Sequence, residues 1–190
     1  NYLYYGDNLN ILRESVKDES VDLIYLDPPF NSNRNYNVLF KEEGGQEAEA
    51  QITAFEDTWH WNDSTAETYK GLATGDSPGV SPKLTDLISA LRQAIGTNQM
   101  MAYLVMMAVR LVELHRVLKS KGSLYLHCDP TASHYLKIIL DSIFSPSCYR
   151  SEIIWKRTSA HSNAKCYGSS HDIILYYVKN SNDFIWNDLY

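Results

Sequence analysis

Four consecutive residues, Asp27-Pro28-Pro29-Phe30, combine groups that could act on an amine. Two adjacent prolines fix the φ angle twice and supply no backbone N–H, so this stretch offers carbonyl acceptors in a stiff arc. A carboxylate and a carbonyl that accept both hydrogens of an aromatic amine would return electron density to its nitrogen. That nitrogen could then attack an electrophilic methyl group. Phe30 offers a flat face for a planar base, a stacking contact worth about 1–3 kcal/mol.

The residues before this motif predict the element that positions it. Val21 to Leu26 is an apolar run with little alternation, which is typical of a parallel strand covered on both faces. The strand is expected to stop at Asp27, because the prolines that follow cannot donate to a sheet ladder. Ser123 to Asp129 has the same character and also ends in an acid. Because ligands bind beyond the carboxyl ends of parallel strands, we expect the site at this edge.

An aspartate at the end of a strand is ordinarily a helix cap or a turn residue. Asp7 follows a short aromatic strand predicted over Tyr2 to Tyr5, and either Asp7 or Asn8 could cap the next helix. Asp129 could likewise cap a helix. Asp27 differs from both because a Pro-Pro-Phe sequence follows it, and it is therefore the preferred chemical residue.

The order of the remaining patterns predicts an α/β fold in one domain over residues 1–190. Lys121-Gly122 is predicted to end a long helix as a C-cap. Residues 31 to about 81 are polar and carry glycines, so we expect little regular structure there and a loop or insertion over 41–99. Aromatic residues within that segment are expected to anchor it to the body: Phe55, Trp59 and Trp61. The predicted helices are Leu84–Ile95, Met100–Leu118 and Thr131–Phe144, and the closing strands are Ile153–Trp155 and Ile173–Val178.

The formal net charge of -6 gives no overall basic surface for nucleic acid, so any contact with DNA must be local. The polar run after the motif contains Asn31 and Arg34, and Arg34 is the candidate phosphate contact. A second basic cluster contains Lys156, Arg157 and His161. A solvated loop is an equally good interpretation of both stretches.

Three cysteines, Cys128, Cys148 and Cys166, form no CxxC pair, so neither a disulfide framework nor a zinc site is indicated. No metal site is expected, and a reducing cytoplasm fits this cysteine usage. The longest apolar run is far short of the about 20 residues that span a bilayer. His127-Cys128-Asp129 could suggest a thiol nucleophile, but no oxyanion turn surrounds Cys128.

Asp27-Pro28-Pro29-Phe30 resembles the (D/N/S)PP(F/Y) motif of the amino-group DNA methyltransferases, and its place after an apolar strand matches that family. Gly6-Asp7-Asn8-Leu9 resembles the turn that precedes the motif in the circularly permuted β-type members. Ile153-Ile154-Trp155-Lys156 and His171 to Tyr176 are similar to the family's later strands. The similarity covers most of the chain outside about 41–99.

The resemblance implies a Rossmann-like methyltransferase fold whose mostly parallel sheet has one antiparallel strand. It also implies S-adenosylmethionine as methyl donor and double-stranded DNA with a flipped target base. Asp27 and the Pro28 carbonyl would hold the amine, with Pro29 and Phe30 completing the catalytic motif. The cofactor would contact Asp7, Asn8, Asp27 and Pro28. DPP(F/Y) is more usual among adenine-N6 enzymes, so adenine is preferred and cytosine N4 is the alternative.

The family also requires an FxGxG-like turn for the cofactor, which this sequence lacks. In the permuted order that turn would follow residue 190, so we expect a catalytic domain that is incomplete at its C-terminus. A non-catalytic fragment that binds DNA or a partner is therefore a second hypothesis. A cognate restriction subunit is an expected partner, and an oligomer is left open.

Overall fold

The chain contains both helices and strands, as the patterning predicts. The computed structural model describes residues 2–28, 35–37, 53–56, 59–157, 165 and 170–188, with 35–37 and 53–56 as backbone only. The helices are α1 Asn8–Ser15, α2 Asp63–Thr74, α3 Pro82–Ile95, α4 Gln99–Val117 and α5 Pro130–Phe144, and a 3-10 turn covers Pro146–Cys148. The strands are β1 Val21–Leu26, β2 Asn35–Asn37, β3 Thr53–Glu56, β4 Leu118–Cys128, β5 Tyr149–Lys156 and β6 His171–Val178.

The main sheet has four strands in the order β1-β4-β6-β5. β1 and β4 are parallel, whereas β6 is antiparallel to both of its neighbours. Three strands therefore run in one direction and β6 runs in the other, which confirms the expected mixed sheet. β2 and β3 form a separate antiparallel pair.

The core lies between this sheet and two long helices. α4 is apolar on nearly every side, and from Met101 to Leu114 all but one of its residues are buried. Its first turn is capped by Asn98, whose side chain accepts from the Met101 N–H at 2.9 Å. Asp129 caps α5 as its sequence position predicts, and its carboxylate accepts from the Ala132 N–H at 3.0 Å. Among the described helices, none has the length and apolar character needed to cross a membrane.

Buried charges on α4 hold α1 in place. Glu113 is 5% exposed. Its two oxygens accept hydrogen bonds from Arg13 Nε at 3.1 Å and from Arg116 Nε at 2.6 Å. Arg116 also donates to the Leu12 carbonyl at 2.7 Å. A buried carboxylate is tolerated when it is fully paired. α1 buries no residue completely, and these ion pairs attach it to the body together with Leu9, Leu12 and Val16, which pack against the core.

The expectation of irregular sequence up to about Ser81 is wrong over Asp63–Thr74, which form α2. Asn62 caps α2, and the helix ends at Gly75 in the left-handed region at a φ of 76°. Only Thr65 and Leu72 are buried, so the apolar stripe is too thin to read from hydrophobicity alone. The predicted helix Leu84–Ile95 is confirmed as α3. Whether 41–99 is an insertion within one domain stays a prediction.

Trp59 and Trp61 pack against the core, which confirms their prediction as anchors. The Trp61 ring lies 5.7 Å from the Tyr69 ring of α2, and the Arg92 guanidinium of α3 lies 5.2 Å from Trp61. The same guanidinium lies 4.4 Å from the Tyr69 ring, so a cation–π contact joins α3 to α2 directly. The side chain of Phe55 lies outside the described residues.

One predicted strand and one predicted helix end are wrong. Tyr2 to Tyr5 are not in a strand and are mostly exposed, because no described strand pairs with them and an unpaired strand has little stability. The long helix ends at Val117 rather than at Lys121-Gly122, and the chain enters β4 directly. The β1–β4 register shifts between the Val21–Leu118 and Leu23–Ser123 pairs, so residues 119–122 form a bulge.

β1 is covered on one face only by the described residues. Ile24 points into the core at 8% exposed, whereas Leu23 and Tyr25 on the opposite face are 57% and 55% exposed. The expectation that both faces are covered is therefore wrong for this part of the chain. On that open face, Trp186 stacks on Tyr176 of β6 with ring centroids 6.1 Å apart.

Gly122 lies in the β4 bulge, where a side chain has little room. A Cβ at this position would lie 2.6 Å from Leu118 Cδ1 and 3.0 Å from the Asp22 carbonyl oxygen, both closer than normal contact. We expect Gly122→Ala to lower the free energy of unfolding by about 1–3 kcal/mol, the usual cost of overpacking. Urea unfolding would measure this, and Ser120→Ala on the exposed part of the same bulge should change it by less than about 0.5 kcal/mol. Equal effects of the two substitutions would contradict the close approach of β1 and β4.

Candidate active site at the carboxyl edge of the sheet

Asp27 lies at the carboxyl end of β1, beside the end of β4. Parallel pairing from Leu23–Ser123 to Leu26–Leu126 brings the next residues, Asp27 and His127, to the same edge. Asp27 Oδ1 is 3.4 Å from His127 Nδ1, and the Asp27 side chain is 59% exposed. Pro28 follows and is half-buried. The edge thus presents an accessible carboxylate with an imidazole beside it.

The His127 ring is held from its other side by β6. His127 Nε2 lies 3.3 Å from Asp172 Oδ2, and the Asp172 side chain is only 5% exposed. β6 begins at the edge where β1 and β4 end, because it runs antiparallel to β4. The Tyr25 hydroxyl is 3.3 Å from His127 Nδ1. Three strands therefore contribute to the surroundings of one imidazole.

Arg157 completes the row from the far side of the sheet. Its Nη1 lies 3.2 Å from Asp172 Oδ1, and its backbone N–H donates to the Ser170 carbonyl at 2.9 Å. The row of Asp27, His127, Asp172 and Arg157 is called the edge row below. Its carboxylates alternate with nitrogen donors, so the buried Asp172 charge has a partner on each oxygen.

Two acidic groups beside the edge row are held in their protonated forms. Burial raises the pKa of Tyr25, and the charge of Asp27 raises it further. Burial also raises the pKa of the Cys128 thiol to about 12, with smaller effects from the charges of Asp129, Glu152 and Asp172. A thiol in this state is a poor nucleophile. Tyr25 can act as a hydrogen-bond donor at neutral pH.

Asp7 and Asn8 form a second group at the start of α1. Asp7 caps α1 by accepting from the Leu9 N–H at 2.8 Å, which confirms its prediction as a helix cap. Arg110 Nη2 donates to both Asp7 oxygens at 2.9 and 3.0 Å, and Arg110 Nε donates to Asn8 Oδ1 at 2.8 Å. Burial lowers the pKa of Arg110, and the nearby Asp7 partly offsets that effect. The Asp7 side chain remains 46% exposed, and its predicted cofactor contact stays a prediction.

The predicted DNA contacts are only partly described. Lys156 is exposed at the end of β5, while Arg157 is paired with Asp172 and is 53% exposed. Five further predicted site residues lie outside the described residues: Pro29, Phe30, Asn31, Arg34 and His161. Within the described ranges, no cluster of His, Cys, Asp or Glu side chains is arranged to hold a metal ion.

Sequence reasoning missed the role of Asp172 and the link between His127 and Asp27. The signal for His127 is its position, since it stands near the end of a strand predicted to run parallel to β1. No comparable signal marks Asp172, which lies 45 residues further along at the start of a strand. Its place at this edge depends on β6 running antiparallel, which hydrophobic patterning does not reveal.

Several known proteins are similar to this chain in sequence. The chain is 25% identical to the Type III restriction-modification enzyme StyLTI Mod subunit of Salmonella typhimurium strain LT2, over 86% of this chain and 21% of that protein. It is 24% identical to the EcoP15I Mod subunit of Escherichia coli, over 96% of this chain and 25% of that protein. DNA adenine methyltransferase YhdJ of Escherichia coli K12 is 24% identical, over 97% of this chain and 43% of that protein. The chain thus spans between a fifth and a half of these relatives.

A solved structure shows the same fold. The PvuII DNA methyltransferase (cytosine-N4-specific) superposes with a TM-score of 0.50 at 12% sequence identity, covering 94% of this chain and 49% of that one. This likeness confirms the Rossmann-like methyltransferase fold. The family model described as DNA methylase matches residues 21–189, which include Asp27, Pro28 and the whole edge row. The chain therefore belongs to the N6/N4 DNA methylase family.

Proposed function

We propose that the protein transfers a methyl group to the exocyclic N6 of adenine in DNA, with S-adenosylmethionine as donor. The observation that carries this proposal is the exposed Asp27 carboxylate, followed directly by Pro28, at the carboxyl edge of a family-matched sheet. Asp27 and the Pro28 carbonyl would each accept one amine hydrogen. Pro29 and Phe30 follow in sequence and would complete the base pocket.

The described residues fit the chemistry of the cofactor. S-adenosylmethionine supplies a methyl group on a positively charged sulfonium. Asp27 and Asp7 both keep accessible carboxylate surface, at 59% and 46% exposed, and carboxylate oxygens can accept further hydrogen bonds. The residues that would hold the cofactor are Asp7, Asn8, Asp27 and Pro28. Arg110 would keep Asp7 and Asn8 in place, because it donates to both.

Adenine is the preferred target base. The relative named as an adenine methyltransferase is 24% identical over nearly the whole chain, and an aspartate begins the motif, as is more usual in adenine-N6 enzymes. The cytosine-N4-specific neighbour shares 12% identity, so it informs the fold alone. Cytosine N4 is the alternative, followed by a non-catalytic fragment that binds DNA or a partner.

The proposal extends to partners. Double-stranded DNA with a flipped base is the substrate, and Asn31, Arg34, Lys156, Arg157 and His161 are its candidate contacts. Two relatives are Mod subunits of Type III restriction-modification enzymes, which supports a restriction subunit as partner. We also propose a cytoplasmic location and one catalytic domain over residues 1–190.

Asp27→Ala should abolish methyl transfer in the complete protein. Removing the carboxylate takes away one acceptor of the amine, and we expect the rate to fall by at least about 100-fold, the usual effect of removing a positioned catalytic group. Transfer of radiolabelled methyl groups to DNA would measure it. Because the side chain is exposed, the free energy of unfolding should change by less than about 1 kcal/mol.

Asp22→Asn is the matched control for Asp27→Ala. Asp22 is an exposed aspartate near the start of the same strand, where it pairs with Lys119 Nζ at 2.8 Å. We expect the rate of methyl transfer to stay within about twofold, since an exposed ion pair contributes little. Near wild-type transfer by Asp27→Ala would refute the proposed role of the motif.

Mass analysis of nucleosides from treated DNA should show N6-methyladenine. The expectation rests on the aspartate in the motif and on the adenine-methylating relative. Detection of N4-methylcytosine instead would establish the alternative, and the absence of any methylated base would favour the non-catalytic fragment.

Cys128 should be inert, in contrast to a thiol nucleophile. Its side chain is fully buried and its pKa is raised to about 12, so almost no thiolate exists at pH 8. We expect native protein to leave Cys128 unmodified by iodoacetamide under conditions that label it fully in urea, as read by peptide mass spectrometry. Cys128→Ala should keep the rate of methyl transfer within about threefold of wild type. Loss of transfer in a folded Cys128→Ala protein would instead support thiol catalysis.

A further inference from the structure

Asp172 carries a buried carboxylate at the edge of the sheet. With 5% of its side chain exposed, this group needs partners for its charge. It has two, Arg157 Nη1 on Oδ1 at 3.2 Å and His127 Nε2 on Oδ2 at 3.3 Å. Because a carboxylate only accepts, the Nε2 atom of His127 must carry a proton in this contact.

The same contact fixes the direction of the imidazole ring. With Nε2 facing Asp172 across β6, Nδ1 faces the end of β1, where Asp27 Oδ1 lies 3.4 Å away. The Tyr25 hydroxyl also approaches Nδ1, at 3.3 Å. The His127 side chain is 15% exposed, so the protein rather than water sets most of its surroundings. The charged and titratable groups that face it include Tyr25, Asp27 and Asp172.

We propose that His127 is a positioning residue for Asp27, held in orientation by Asp172 and Arg157. With a proton on Nδ1 as well as on Nε2, the ring pairs with Oδ1 of the otherwise exposed Asp27 carboxylate and so leaves Oδ2 as the acceptor for the amine hydrogen. This inference rests on the proposed methyl transfer. In this arrangement Arg157 also holds Asp172 in place, in addition to its predicted DNA contact.

A purely structural histidine would behave differently from a positioning residue. Loss of a structural contact lowers stability and affects binding and turnover together, whereas loss of a positioning contact lowers turnover with little effect on substrate affinity. Misplacing a reacting group by about 1 Å can reduce the rate by about 100-fold. The ratio of these effects therefore distinguishes the two roles.

The first experiment measures kcat and KM for DNA in the complete protein. His127→Ala should lower kcat by about 10- to 100-fold and change KM by less than about twofold. His127→Asn is a second variant in case the alanine protein does not fold, and thermal unfolding checks both. His134→Ala is the matched control, because His134 is exposed on α5, and it should leave kcat within about twofold.

A double-mutant cycle then tests the order of the edge row. If Asp172 acts through His127, the His127→Ala/Asp172→Asn protein should be no slower than His127→Ala alone. If the reduction in kcat of the double variant equals the product of the reductions in the two single variants, Asp172 acts independently of His127. That result would overturn the proposed order. The same result in His127→Asn would confirm that conclusion.

Nuclear magnetic resonance provides a readout that does not depend on turnover. In protein without DNA or cofactor, the ring ¹⁵N resonances of His127 should shift in Asp27→Asn and remain unchanged in Asp22→Asn. Unchanged resonances in Asp27→Asn would refute the contact. If wild-type protein methylates DNA and folded His127→Ala keeps wild-type kcat, the positioning role is wrong and the proposed function stands. If wild-type protein transfers no methyl group to DNA, the proposed function itself fails.

Discussion

Strands β1 and β4 lie side by side in parallel from Leu23 to Leu26, and both reach the same edge of the sheet. This pairing places an aspartate that follows one strand beside a histidine near the end of the other, 3.4 Å apart. It depends on a bulge in β4 and on Gly122, where a Cβ would clash with Leu118 of β4 at 2.6 Å and crowd the Asp22 carbonyl of β1 at 3.0 Å. The position of the candidate chemical group thus follows from close packing some distance away from it. Without this register, Asp27 would be an exposed turn residue with no described partner.

Buried charge is handled by one rule throughout the described structure. Glu113 on α4 is paired with two arginines, and Asp172 on β6 is paired with an arginine and a histidine. Each buried carboxylate therefore specifies which elements must meet around it. The Glu113 cluster joins α1 to α4, whereas the Asp172 cluster joins three strands at the edge. Only the second cluster lies at the carboxyl edge of the sheet, next to Asp27 and Pro28, and this location separates a candidate site from a structural clamp.

Much of the fold could be predicted from the sequence. Strand β1, helices α3, α4 and α5, and the closing strands β5 and β6 follow from apolar runs and helical spacing. α2 is not predicted from the sequence, because only two of its residues are buried and the rest of its surface is largely polar. The strand predicted over Tyr2 to Tyr5 does not form, because aromatic content favours strands but does not show whether a partner strand exists. The helix C-cap assigned to Lys121-Gly122 failed because glycine signals a bulge as readily as a helix end.

The sequence by itself determined the motif, the family resemblance and the edge of the sheet at which Asp27 should lie, because proline geometry and apolar runs are local properties. It also determined that Asp129 and Asp7 could cap helices, since capping depends on neighbours within three residues. Only the tertiary structure decided that Asp27 faces His127 and that Asp172 and Arg157 stand behind it. Those contacts join residues up to about 100 positions apart through strand direction and register, which no local pattern encodes.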